Sequence, residues 1–123
     1  MPRILVIDDQ TDVRTMIAMV LRIHHFEIVE AAGVASGLKA FEEAAFDLAI
    51  VDIFLSGSNG FELIVAMRER VPHLPIVAIS GMTALEFVAE NPELGNVVGL
   101  QKPFRPNDLM TAINKALAAS PVA

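Results

Sequence analysis

The chain of 123 residues contains no cysteine, no tryptophan and no tyrosine. Without cysteine it can form neither a disulfide framework nor a thiolate metal site, so its chemistry must come from oxygen and nitrogen groups. The aromatic residues are seven phenylalanines, which are better explained as core residues than as platforms that stack on bases.

Positive charge is also scarce, because 9 Lys and Arg face 15 Asp and Glu and give a net charge of −6. This balance argues against direct binding of nucleic acid, which needs clustered Lys and Arg to neutralise phosphates. No apolar stretch approaches the roughly 20 residues of a membrane span. Residues 1–4 lack the pattern of a signal peptide. We therefore expect a soluble cytoplasmic protein that does not bind membranes.

Four short apolar runs in the chain each lead into polar residues. The pairs are residues 4–7 with Asp8 and Asp9, 48–51 with Asp52, 76–79 with Ser80, and 97–100 with Lys102. If these runs are parallel strands, their polar groups meet at the carboxyl end of one sheet. Open α/β sheets bind their ligands at that end.

Segments with the apolar spacing of amphipathic helices alternate with the strands. They cover residues 13–21, 34–41, 63–71, 83–91 and 109–117, and Pro92 must end the fourth. Residues 26–31 alternate apolar residues with Glu27 and Glu30, which is typical of an edge strand. The pattern predicts a doubly wound, flavodoxin-like α/β fold with a five-stranded parallel sheet of order 2-1-3-4-5 and five helices. We expect one domain over residues 1–118, with 119–123 as a tail or the start of a linker.

A pocket with three carboxylates, a hydroxyl and an ammonium can hold a divalent cation and accept a phosphoryl group. Asp8, Asp9 and Asp52 would repel one another without a cation, and Mg²⁺ prefers such hard oxygen ligands. Each residue also has an ordinary explanation, since an aspartate or serine after a strand is usually a turn former or helix cap. Lys102 alone would be a solvated lysine. The coincidence of all five positions favours a binding site.

Two other segments could carry chemistry. His24 and His25 could form a phosphodonor, metal-binding or catalytic pair. They fall at the end of the first helix, however, where cationic side chains suit the helix dipole. Residues 57–60 include two glycines but lack the Lys and Ser/Thr of a P-loop, so we interpret them as a loop that leads into the third helix.

The ordered set of polar residues resembles the receiver domain of two-component response regulators over essentially the whole chain. The matching residues are Asp8, Asp9, Asp52, Asn59, Gly60, Ser80, Lys102, Pro103 and Phe104. The resemblance implies a signalling switch rather than an enzyme. In such a switch Asp52 takes a phosphoryl group from a sensor histidine kinase or histidine phosphotransfer protein, slowly hydrolyses it, and changes binding to a downstream protein. A phosphorylation-dependent homodimer is compatible with this resemblance.

The resemblance also implies a role for each residue of the pocket. Asp9, Asp52 and the backbone carbonyl of Phe54 would hold Mg²⁺ or Mn²⁺, and Asp8 would act mostly through water. Two further residues, Ser80 and Lys102, would bind the phosphoryl oxygens.

The sequence departs from the family pattern at three places. Ser56 stands where proline is usual, Gly99 stands where an aromatic switch residue is common, and Asn91-Pro92 interrupts the fourth helix. These positions leave the phosphorylation chemistry intact, but they argue against output through a buried aromatic switch.

Two alternatives remain open from the sequence. A flavodoxin-like enzyme that binds a nucleotide or cofactor would need a phosphate-cradling first loop, and Asp8-Asp9-Gln10 would repel phosphate. A docking module without phosphorylation would have an incomplete acceptor set, whereas this set is complete. In either case the chain could be part of a longer regulator.

Overall fold

The computed structural model describes residues 2–55, 60–81, 86 and 96–119. Strands and helices alternate along the chain. The five strands are β1 (Arg3–Ile7), β2 (Glu27–Ala31), β3 (Leu48–Asp52), β4 (Ile76–Ser80) and β5 (Val98–Gln101). The helices of the described ranges are α1 (Thr11–Ile23), α2 (Val34–Glu43), α3 (Gly60–Arg70) and α4 (Pro106–Ala119).

Some of the sequence predictions fall outside the described residues. These are the helix over residues 83–91 with Pro92, the loop position Ser56, and the end of the tail at 120–123. The helix labelled α4 is therefore the one predicted over residues 109–117. Among the helices that the structure describes, none combines the length and the apolar character needed to span a membrane.

The five strands form one parallel sheet in the order β2-β1-β3-β4-β5, which confirms the predicted topology. Neighbouring strands are paired up to their last residues. Ile7 of β1 pairs with Val51 of β3, and Ser80 of β4 pairs with Gln101 of β5. Because the strands end side by side, the residues that follow them emerge at one edge of the sheet.

Helices cover both faces of the sheet, and successive side chains of each strand point into opposite cores. In β1, Leu5 and Ile7 belong to the core under α2 and α3, whereas Ile4 and Val6 belong to the core under α1 and α4. All four side chains are fully buried. This burial on both faces explains why the central strands are unbroken apolar runs.

The strand β2 lies at the edge of the sheet, as its alternating pattern predicts. Glu27 pairs with Arg3, with 3.1 Å between Oε1 and Nη2. Glu30 pairs with two arginines of α1, at 3.3 Å from Arg14 Nε and 3.7 Å from Arg22 Nη2. These pairs tie β2 to β1 and α1, but exposed pairs each contribute no more than about 1 kcal/mol.

The histidine pair lies at the C-terminus of α1, at the end of the fold opposite to the strand carboxyl ends. His25 has a positive φ of 66°. Its N–H donates to the carbonyl of Arg22 at 3.0 Å, and the N–H of Phe26 donates to the carbonyl of Leu21 at 3.0 Å. These two bonds form a Schellman motif, which usually places glycine at the residue with positive φ. The pair therefore ends a helix and lies away from the pocket.

We expect His25→Gly to raise the free energy of unfolding by about 0.5–1 kcal/mol, because glycine adopts positive φ without steric cost. Urea unfolding of the wild type and the variant measures the change. His25→Ala is the matched control, since alanine removes the imidazole but keeps the Cβ that is strained at this φ. Equal stabilisation by alanine and glycine would contradict the backbone explanation.

Candidate functional site

Three aspartates lie together at the carboxyl edge of the sheet. Asp8 and Asp9 directly follow β1, and Asp52 is the last residue of the neighbouring strand β3. One carboxylate oxygen of each residue lies within 4.8 Å of the oxygens of the other two. The structure thus brings together the three carboxylates that the sequence predicted to share a pocket.

Asp8 is the most deeply buried of these carboxylates, with 0% of its surface exposed, whereas Asp9 is partly buried. The Oδ1 of Asp8 accepts a hydrogen bond from the backbone N–H of Gln10 at 2.8 Å. Its Oδ2 is buried and has no hydrogen-bond partner. Lys102 Nζ lies 3.4 Å from this oxygen, which is an ion pair without the geometry of a hydrogen bond. A buried carboxylate oxygen is therefore left without full compensation.

Burial raises the pKa of Asp8 above its ordinary value, and the nearby charge of Asp52 raises it further. The backbone N–H of Gln10 and the ammonium of Lys102 oppose this rise but do not cancel it. Separately, the pocket places three carboxylates beside one ammonium, and this excess of acidic groups favours the binding of a cation.

Lys102 is the residue that follows β5, and its side chain reaches into the pocket. Its Nζ lies 3.1 Å from Asp52 Oδ2 and 2.9 Å from Gln10 Oε1. Its backbone N–H donates to the carbonyl of Ser80 at 2.8 Å, which extends the pairing of β4 with β5 by one step. The Lys102-Pro103 peptide bond is cis. The ammonium is thus held between a carboxylate of the sheet edge and an amide at the start of α1.

An open cleft of about 240 Å³ lies over these groups, and its lining residues are Asp9, Gln10, Asp52, Phe54, Ser80, Gly81 and Lys102. Ser80, the last residue of β4, is 3% exposed. The cleft is large enough to admit a phosphoryl group and hydrated ions. Four of the five polar residues predicted from the strand ends line it, and the fifth, Asp8, lies buried beneath.

Phe54 lies close to Asp52. Its backbone N–H donates to Asp52 Oδ1 at 3.0 Å, which fixes the orientation of that carboxylate. The residue is 64% exposed and lines the cleft. The role of its carbonyl as a metal ligand stays a prediction.

Two residues that support the site were not predicted from the sequence. Arg14 Nη1 donates to the backbone carbonyl of Asp8 at 2.7 Å and fixes the peptide between the two aspartates. Gln10 holds Lys102 across 92 residues of chain. No local pattern marks either contact, because both depend on the packing of α1 against the sheet edge.

The residues of the pocket fit a magnesium ion. Mg²⁺ takes carboxylate oxygens and keeps several waters, so a few carboxylates beside an open cleft suit it. The buried Asp8 Oδ2, which lacks a hydrogen bond, is the observation that decides the fit. The carboxylates of Asp8, Asp9 and Asp52 are the ligands available to the ion.

The family model of the response regulator receiver domain matches residues 4–114. The chain belongs to this family. The receiver domain is the phosphorylation-controlled signalling switch of two-component systems, and the topology and the polar groups described above agree with this membership.

Three relatives illustrate how the family uses this domain. The chain is 30% identical to a putative NtrX-like response regulator of Rickettsia bellii, covering 92% of this chain and 24% of that protein. It is 29% identical to the response regulator receiver protein CpdR of Brucella abortus, covering 98% of this chain and 100% of that protein. The structure of the Vibrio cholerae chemotaxis protein CheY4 superposes with a TM-score of 0.87 at 28% identity, covering 95% of this chain and 99% of that one.

The chain spans about a quarter of the length of the NtrX-like relatives, since it covers 24% of them. It spans the full length of CpdR. Receiver domains therefore occur among its relatives both alone and joined to further domains.

Proposed function

We propose that Asp52 accepts a phosphoryl group from a phosphohistidine, in a reaction that requires Mg²⁺. The donor would be a sensor histidine kinase or a histidine phosphotransfer protein. The observation that supports this proposal is the position of Asp52 at the end of a buried strand, between two other aspartates and the ammonium of Lys102. The phosphorylated domain would then bind a downstream protein differently from the unphosphorylated one.

The transfer exchanges one bond to phosphorus for another. A carboxylate oxygen of Asp52 forms a bond to phosphorus while the bond between phosphorus and the imidazole nitrogen of the donor breaks. The electron pair of that bond stays on the imidazole, which takes up a proton from water. The N–H of Phe54 holds Asp52 Oδ1 at 3.0 Å and thereby keeps the acceptor carboxylate oriented. Since the acceptor is held in place before the donor arrives, little entropy is lost at the moment of transfer.

The metal would be held directly by Asp9, Asp52 and the backbone carbonyl of Phe54, and Asp8 would act mostly through water. When bound, Mg²⁺ or Mn²⁺ neutralises the carboxylates and the developing charge on the phosphoryl oxygens. The ammonium of Lys102 contacts Asp52 Oδ2 at 3.1 Å and would pair with a phosphoryl oxygen. Ser80, at the end of β4, would bind another.

Intact mass after incubation with a small acyl phosphate tests the proposal. We expect the wild type to gain one phosphoryl group with Mg²⁺ and none with a chelator, and Asp52→Asn to gain none under either condition. Asp47→Asn is the matched control, because Asp47 lies just before the same strand β3, at its opposite end. Stoichiometric labelling of Asp52→Asn at another aspartate would refute the assignment.

The family resemblance places the residue two positions after Asp52 beside the path of the hydrolytic water, and because this residue is Phe54 we expect a long-lived phosphorylated state. Hydrolysis needs a water aligned behind phosphorus, and a phenyl ring cannot orient water by hydrogen bonding. We expect Phe54→Asn to speed the loss of the phosphoryl group about fivefold, the effect of one hydrogen bond of ~1 kcal/mol. Decay of the phosphorylated mass over time measures this rate.

Val65→Asn is the control for that experiment, because Val65 is an apolar residue of α3 that is 44% exposed and does not line the cleft. An unchanged or slower decay in Phe54→Asn would show that this position does not control access of water. The resemblance also places Met82, two residues after Ser80, beside this water path, and Met82 lies outside the described residues.

A further inference from the structure

Gln10 occupies the N-cap of α1, yet its side chain does not cap the helix. Its backbone is extended, with φ −87° and ψ 111°, and it makes no side-chain cap hydrogen bond. Ser, Thr, Asp and Asn are the residues whose side chains favour this position. The backbone of Gln10 is itself well anchored, since its N–H donates to Asp8 Oδ1 at 2.8 Å and its carbonyl accepts from Arg14 N at 3.0 Å. The start of the helix therefore does not explain why a glutamine stands here.

The amide of Gln10 instead reaches Lys102. The distance from Oε1 to the ammonium is 2.9 Å, shorter than the distances from the ammonium to Asp52 Oδ2 at 3.1 Å and Asp8 Oδ2 at 3.4 Å. Ordering an exposed glutamine costs side-chain entropy, so the hydrogen bond to a charged group has to compensate for this cost. The ammonium thus lies between an inner pair of carboxylates and an outer, neutral acceptor.

Removing the amide oxygen of Gln10 would change the contacts available to the Lys102 ammonium. In the part of the chain that the structure describes, its remaining contacts at this site would be the carboxylates of Asp8 and Asp52. These two residues belong to the cluster of three carboxylates available to the metal, the third being Asp9. An ammonium that moves inward would compete with the ion for the same oxygens.

We propose that Gln10 is a positioning residue that draws the Lys102 ammonium toward the mouth of the cleft and leaves the carboxylates accessible to the metal. The proposal rests on the phosphoacceptor function, because it assigns Gln10 a part in preparing the acceptor site. The amide is suited to this role, since it accepts a hydrogen bond without adding a negative charge to a pocket that already has three carboxylates.

Two measurements on the full chain test this role. In the first, Mg²⁺ is titrated and its binding is followed by calorimetry. Gln10→Met keeps the length of the side chain but loses the acceptor, and we expect it to weaken Mg²⁺ binding about fivefold. Gln10→Glu keeps an Oε acceptor, and we expect it to bind Mg²⁺ at least as tightly as the wild type. A purely structural role of Gln10 would weaken binding in both variants.

In the second measurement, the metal-free protein reacts with a limiting amount of an acylating reagent, and peptide mass gives the modified fraction of each lysine. We expect acylation of Lys102, relative to the exposed Lys115 on α4, to fall about threefold in Gln10→Met, because the ammonium moves between two carboxylates. Gln10→Glu should keep the wild-type ratio. Gln101→Met is the matched control, since Gln101 donates to the carbonyl of Gly81 at 3.2 Å and not to Lys102.

Unchanged Mg²⁺ affinity and unchanged acylation in Gln10→Met would overturn the proposal, as would an equal loss in the Met and Glu variants. Neither measurement uses phosphorylation. If the wild type failed to take up a phosphoryl group, the phosphoacceptor function would be refuted while these two results still decided the role of Gln10.

Discussion

Gly60→Ala is expected to lower the free energy of unfolding by about 1–3 kcal/mol through overpacking and to slow phosphoryl uptake by Asp52 about a hundredfold. Gly60 is the first residue of α3 and is buried against the end of β3. A Cβ at this position would clash with the carbonyl oxygen of Asp52 and lie 2.8 Å from the Cα of Ile53. Both atoms belong to the backbone, so no side chain can rotate away to make room.

The second effect follows from the first, because the backbone that must move carries Asp52, the proposed acceptor. The N–H of Gly60 donates to the carbonyl of Ile53 at 2.9 Å, so α3 and the end of β3 are fixed to one another. A shift of that segment displaces the carboxylate of Asp52 from Lys102 and from the other aspartates. A displacement of about 1 Å at a reacting group can cost a hundredfold in rate.

Urea unfolding and the initial rate of phosphoryl uptake from an acyl phosphate measure the two effects of Gly60→Ala. Gly33→Ala is the control, because a Cβ at Gly33 meets no atom within 4 Å. It should leave the rate of phosphoryl uptake unchanged, and its stability should fall only by the cost of alanine at the N-cap of α2. A Gly60→Ala variant with wild-type stability and uptake would show that α3 and β3 separate more easily than their contacts indicate.

The fold could be predicted from the sequence because its signals are local. Each central strand is buried on both faces and is therefore an unbroken apolar run, whereas β2 has only partial burial and alternates with charged residues. The positions of Asp8, Asp52 and Ser80 at the sheet edge follow from where those runs end. Asp52 lies 44 residues after Asp8, and Ser80 lies 28 residues after Asp52. Parallel pairing of the strands brings all three residues into one pocket.

The contacts within the pocket could not be predicted in the same way. The hydrogen bond between Gln10 and Lys102 and the close approach of Gly60 to Asp52 depend on how α1 and α3 pack against the sheet edge. Apolar spacing determines which face of a helix is buried, but it does not determine the position of the helix along the sheet to within the length of a hydrogen bond. The functional roles of the individual site residues stay predictions that the experiments above decide.

Asp8→Asn is expected to stabilise the metal-free protein and to reduce the stabilisation that Mg²⁺ provides. Asp8 is fully buried, and its Oδ2 has no hydrogen bond. Asparagine keeps the acceptor for the N–H of Gln10 and removes a negative charge that lies beside Asp52. We expect the free energy of unfolding at pH 7, in the presence of a chelator, to rise by about 1–3 kcal/mol, the usual penalty of an uncompensated buried polar group.

The pH dependence of this gain has a definite sign. Burial raises the pKa of Asp8 in the folded state above the 3.8 expected for an exposed aspartate. Between these two pKa values the folded state binds more protons than the unfolded chain, so the stability of the wild type falls as pH rises through this window. Asparagine does not titrate. The advantage of Asp8→Asn should therefore be absent below the unfolded pKa and complete above the folded pKa.

Magnesium should stabilise the wild type more than it stabilises Asp8→Asn. A ligand that binds only the folded state stabilises it by RT ln(1 + L/Kd), where L is the free ligand concentration, so the wild type, which binds Mg²⁺ more tightly, should gain more from the ion than Asp8→Asn does. Asp9→Asn should lose still more of this gain, because we propose direct coordination by Asp9 and coordination mostly through water by Asp8. Its metal-free stability should change little, since Asp9 is only partly buried.

Urea unfolding of the three proteins with Mg²⁺ and with a chelator measures each gain. Equal losses in the two variants would contradict the division of roles, and a less stable metal-free Asp8→Asn would show that Lys102 already compensates the buried charge.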